Sequence, residues 1–152
     1  MTAGQRRYAL GVLAVVYMFN FIDRQILAIL QPAIKAEFGV SDTMLGLLTG
    51  TAFALFYVSL GVPVARYADR ANRRNLIALA VAIWSGLTAL SGFVVSFWQL
   101  ALARIGVGIG EAGSSPPSHS MISDMFPAHE RGTAMGIYAL GINIGLLVAY
   151  LG

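Results

Sequence analysis

The stretch GVPVARYADRANRR, residues 61–74, decides the fold, because it is the one strongly basic and plainly aqueous segment between two long apolar runs. Arg66, Arg70, Arg73 and Arg74 supply four of the ten Lys and Arg residues in the chain. A basic cluster directly beside hydrophobic runs marks a cytoplasmic loop, since Lys and Arg are enriched on the inner side of a membrane. The stretch therefore reads as the pivot of a membrane hairpin. Fixing this loop inside fixes the side of every other loop.

Composition agrees. With 57% hydrophobic and 11% charged residues in 152, the chain lacks the polar surface of a water-soluble domain. The net charge of +3 is no nucleic-acid footprint, because most arginines stand at the ends of apolar runs, where topology already accounts for them. No nucleic-acid partner is expected. There is no Cys, which removes disulfides and thiolate metal sites, and no cofactor or metal is expected. Arg6 and Arg7 precede an apolar stretch too long for a signal peptide and without a small-residue cleavage site, so it reads as a retained first span.

A transmembrane helix needs about 20 mainly apolar residues. Five such segments are expected, at 8–30, 44–65, 75–96, 99–126 and 132–152, within one incomplete transmembrane domain covering 1–152. The first loop, 31–43, holds Lys35 with Glu37 and Asp42, and the turn between the third and fourth segments is uncharged; both are assigned outside. Arg6, Arg7, Arg66, Arg70, Arg73, Arg74 and Arg131 fall inside, which puts the N-terminus in the cytoplasm of a multi-pass protein of the inner membrane. Trp98, Tyr8 and Tyr67 sit at segment ends, where amphipathic rings favour the headgroups. Gly46/Gly50, Gly106/Gly110 and Gly141/Gly145 repeat at four-residue spacing, which lets helix backbones approach closely in lipid. Pro63, Pro116 and Pro117 remove backbone donors, and the fourth segment is expected to kink toward its cytoplasmic end. The fifth segment runs to the last residue with no following loop, so the chain is expected to be a fragment that does not transport alone.

Charges inside the segments need a reason, because Asp or Arg at a helix centre costs about 2.5 to 3.5 kcal/mol while an apolar residue returns about 0.3 to 0.6. The first segment carries Asn20, Asp23, Arg24 and Gln25 in FNFIDRQIL, with Asp23 about 22 Å from Tyr8 along a helix axis, in the outer half of the bilayer. The fourth reads ARIGVGIGEAGSSPP. Seven residues separate Arg104 from Glu111, which returns a helix to nearly the same face, with Gly108 as a gap between them and Gly110 beside it. Asp23 is expected to pair with Arg104 and Arg24 to reach toward Glu111, giving one neutral network in a polar cavity rather than four isolated costs. A purely structural role in locking helices together is the alternative. His119 and His129 lie near segment ends and need no special role. The serines and histidine of SSPPSHS form no hydrolase site, since no acid is positioned and no nucleophile turn is present, and no enzyme activity is expected.

The chain is identified as a resemblance to the major facilitator superfamily, in its spinster-like branch. The residues that carry it are NFIDRQIL in the first segment, Asp69, Arg70, Arg73 and Arg74 in the loop, Arg104 with Gly108 and Gly110 in the fourth, and HERGTAMG opening the fifth. Ala65 and Asn72 stand where that family's loop has glycines, and Gly141 is followed by Ile142 rather than the Pro of the antiporter signature. The resemblance implies an all-α polytopic transmembrane bundle, about five helices of the N-terminal half of the fold. It implies that Asp23, Arg24, Arg104 and Glu111 handle substrate and protons. It further implies that Asp69 with Arg70, Arg73 and Arg74 forms a cytoplasmic gate against a missing C-terminal half. The expected partners are the lipid bilayer, protons and a small organic or amphipathic, lipid-like substrate. A non-transporting membrane scaffold or receptor is the competing reading, separated by whether the four charges face a common cavity.

Overall fold

The computed structural model describes residues 1–51, 54–55, 58–59, 62–63, 66–67 and 70–151. Its regular elements, among the described residues, are all helical: α1 (Ala3–Phe38), α2 (Asp42–Gly46), a π-helical turn (Leu47–Thr51), α3 (Arg73–Ser91), α4 (Phe97–Ala112), α5 (Ser115–Met125) and α6 (Ala128–Leu151). Three of them, α1, α3 and α6, are each long and apolar enough to cross a bilayer. Asp69, Ala65 and part of the expected second segment lie outside the described residues.

The helix starts are written in the sequence. Thr2 and Gln5 form a capping box on α1, in which the Gln5 N–H donates to Thr2 Oγ1 at 3.3 Å and the Thr2 N–H to Gln5 Oε1 at 2.9 Å. Ser41, Asn72 and Ser96 cap α2, α3 and α4 in the same sense, each accepting from the N–H three residues on.

The end of α1 departs from the sequence expectation. Residues 31–38, assigned above to a loop, continue the helix past Pro32. The reason is tertiary: Leu27, Ile34 and Phe38 recur on one face and close a cluster with Leu45, Leu48, Phe97 and Leu100, so unwinding after Leu30 would expose that face. Gly39, at φ +61, then stops the helix, its N–H donating to the Lys35 carbonyl at 3.0 Å. Lys35 in the last turn of α1 and Asp42 in the first turn of α2 each suit the local dipole and meet at 2.5 Å.

The expected fourth segment is two helices. Pro116 and Pro117 have no N–H to offer the carbonyls of Ala112 and Gly113, so α4 ends at Ala112 and α5 begins at Ser115 with both prolines in its first turn, where the missing donors cost nothing. The end of α4 is tightened by Gly113 N–H to Gly110 O at 3.0 Å and by Ser114 N–H and Oγ to Glu111 O at 3.1 and 2.9 Å.

The chain divides into two compact units, Met1–Ile26 with Ser118–Gly152, and Leu27–Pro117. In the first unit α1 and α6 run parallel with almost no gap: a Cβ on Gly141 would lie 2.5 Å from Ala14 O, and one on Gly145 2.6 Å from Met18 O. In the second, α3 and α4 form an antiparallel hairpin in which Gly106 abuts Leu87 and Gly110 abuts Trp84 and Ala80. Among the described residues, a Cβ on Gly46 or Gly50 would meet nothing within 4 Å.

Candidate functional site

On α1 the buried positions form one stripe, Leu10, Leu13, Asn20, Asp23, Leu27 and Ile34, at the three- and four-residue spacing of a helix face. The stripe is apolar at both ends and polar in the middle. Asn20 is 1% exposed and Asp23 8%. With the helix reaching Phe38, Asp23 stands about 22 Å along the axis from Phe38 as well as from Tyr8. Arg24, one position off the stripe, is half-buried and holds its guanidinium carbon 5.6 Å from the Phe21 ring centroid, a cation–π contact. Gln25 donates to the Tyr150 hydroxyl of α6.

On α4 a second stripe runs through Phe97, Leu100, Arg104, Val107, Gly108 and Glu111. Arg104 is 5% exposed and Glu111 fully enclosed. They lie about 10 Å apart along the axis, and Gly108 between them supplies no side chain. The glycines that bring α3 close, Gly106 and Gly110, point elsewhere, so packing and charge occupy different faces of α4. Asp23, Arg24, Arg104 and Glu111 all engage partners. In the same unit Met44, Leu48, Phe97, Trp98 and Ala101, with part of Arg104, line an apolar trough of about 240 Å³.

The loop arginines have a different setting. Arg70 is exposed in a turn, while Arg73 and Arg74 open α3. Positive charge is unfavourable at a helix N-terminus, and the first turn of α3 holds no acidic residue. Asp69, the acidic member of the expected gate, lies outside the described residues. The opposite arrangement holds at the end of α5. There Arg6 Nη1 donates to Met125 O at 3.3 Å and Arg131 Nε to Phe126 O at 3.0 Å, two cations on the carbonyl end of a helix.

The first unit also holds an aromatic stack that no sequence motif marks. Tyr17 lies on Tyr138 at 4.3 Å with rings 7° from parallel, and His119 meets Tyr138 edge-on at 5.2 Å. The available signal was the spacing Tyr17, Asn20, Asp23, which continues the apolar stripe of α1 with polar groups. Ser114 and Ser118, on either side of the proline pair, are also buried.

Residues 13–152 match the family model described as Major Facilitator Superfamily. The chain is 37% identical to an MFS-type efflux pump of Mycolicibacterium smegmatis, over 95% of this chain and 34% of that protein. It is 32% identical to a sphingosine-1-phosphate transporter of Danio rerio, over 94% of this chain and 29% of that protein. Its structure is similar to the crystal structure of a bacterial homolog of the human lysosomal transporter Spinster in an inward-facing, unoccupied conformation, with a TM-score of 0.93 and 44% identity, over 98% of this chain and 31% of that one. The chain spans about a third of the length of these relatives.

Proposed function

The chain belongs to the major facilitator superfamily, and on that premise we propose that it forms part of a proton-coupled secondary transporter for a small organic, amphipathic or lipid-like solute. The observation that carries this reading is the burial of Arg104 and Glu111 on one stripe of an apolar helix. Ionisable groups are costly inside a membrane protein, and a fully enclosed carboxylate seven residues from a buried guanidinium is a device for exchanging charge. A proton arriving on Glu111 removes its attraction for a cation, and an arginine so released takes a new partner, the anionic group of the solute or water. Protonation thereby becomes a change in helix contacts. Asp23 and Arg24 act in the same way on α1.

The apolar trough of the second unit supports a solute with an apolar portion, since its lining is hydrocarbon. The relative named for sphingosine-1-phosphate supports the same class. Asp69, Arg70, Arg73 and Arg74 are assigned to a cytoplasmic gate that closes against the other half of the transporter during alternating access. The N-terminus lies in the cytoplasm and the bilayer is the inner membrane.

The test is uptake of a single-chain lysophospholipid by the full-length transporter in proteoliposomes, with and without an imposed pH gradient. The reading expects accumulation that depends on the gradient and collapses with a protonophore. Equal uptake in both conditions would overturn the coupling, and no uptake of any single-chain amphiphile would overturn the substrate class.

A further inference from the structure

The parallel packing of α1 and α6 brings two charged N-terminal turns to the same membrane face. Arg6 and Arg131 are committed there to the carbonyl end of α5, and Arg6 also covers the Phe126 ring at 5.7 Å. Arg7 has no such duty. It is exposed, makes no hydrogen bond or ion pair among the described residues, and stands at the mouth of a groove of about 510 Å³ between α1 and α6. Glu130 and His129 share that mouth, 3.7 Å apart, and the floor is apolar, with Leu10, Gly11 and Ile137. A Cβ on Gly11 would meet nothing within 4 Å, so the floor has room beyond the backbone.

The groove thus has a cation and a carboxylate at its rim and an apolar channel beneath, at the level where both helices leave the charged interface and enter their apolar runs. Tyr8, 77% exposed beside Arg7, marks that level, since tyrosine favours the headgroup region. A purely anionic headgroup would meet Glu130 as well as Arg7. A zwitterionic one satisfies both charges.

We propose that this groove is a binding site for one glycerophospholipid with a primary-amine headgroup, its phosphate on Arg7, its ammonium on Glu130 and an acyl chain along Leu10, Gly11 and Ile137. The site is distinct from the buried charges of α1 and α4 and does not depend on which solute is carried. Arg binds phosphate through a planar fork of donors, and the ammonium of this headgroup donates hydrogen bonds that a quaternary amine lacks.

The experiment is native mass spectrometry of the full-length protein, extracted in mild detergent from vesicles of equal phosphatidylethanolamine, phosphatidylcholine and phosphatidylglycerol. The parent and a control variant, Val15→Leu, which adds bulk to an exposed position of α1 outside the groove, should retain one phosphatidylethanolamine about tenfold over the other two. Gly11→Leu fills the floor and should lose the lipid. Arg7→Gln should weaken retention about tenfold, and Glu130→Gln should make phosphatidylethanolamine and phosphatidylcholine equal. Equal retention of all three lipids by the parent, or retention by Gly11→Leu matching the parent, would overturn the site; the latter is also the result expected if another segment of polypeptide fills the groove.

Discussion

Asn20 offers a test that separates folding from function. It is 1% exposed, and neither end of its amide makes a hydrogen bond among the described residues, which costs about 1 to 3 kcal/mol relative to a satisfied or apolar group. Asn20→Leu is therefore expected to leave stability unchanged or raise it by about 1 kcal/mol while transport falls. Thermal unfolding in detergent, paired with uptake, checks both halves; a variant that unfolds earlier than the parent would show that Asn20 is a structural contact. At this scale the sequence was partly legible. The spacing of Arg104 and Glu111 placed them on one face, and the stripe from Phe97 to Glu111 has that spacing. Asn20 and Tyr17 were harder to read, because a polar residue on a helix looks the same in sequence whether it faces a cavity, an interface or a neighbouring ring.

Helix contacts were less legible than helices. Four-residue glycine spacing occurs in α2 with the π-helical turn, in α4 and in α6, and among the described residues the last two stand in close helix contacts, since what stands opposite a glycine depends on a neighbour far away in the chain. Gly141→Ala should destabilise the protein by about 1 to 3 kcal/mol, because the new Cβ would lie 2.5 Å from Ala14 O and the helices must part. Gly136→Ala on the same helix meets nothing within 4 Å and should gain up to about 1 kcal/mol from helix propensity. The difference is read as the shift in unfolding temperature, and equal shifts would refute the packing. Helix ends divide in the same way. At Pro116 and Pro117 a kink was expected and the helix instead breaks in two, at the place a locally acting proline pair names, whereas the extension of α1 to Phe38 depends on Leu45, Leu48 and Phe97, which no local signal names.

For the whole molecule, the fold class was legible from composition and the basic loop alone, because a bilayer demands long apolar helices and sorts their loops by charge. Sidedness is directly measurable, since the chain has no Cys. Single cysteines at Arg73 and Glu37 should react with a membrane-impermeant thiol reagent from opposite sides, with Arg73 protected in intact cells; labelling at Arg73 from outside intact cells would overturn the span order. The central claim is that Glu111 couples protons to transport, and its most direct test is solute accumulation by the Glu111→Gln transporter in vesicles with an imposed pH gradient. The account predicts that accumulation is abolished while downhill exchange persists, and that Arg104→Ala impairs both. Accumulation by Glu111→Gln equal to that of the parent would contradict it and leave Glu111 as a structural counter-ion.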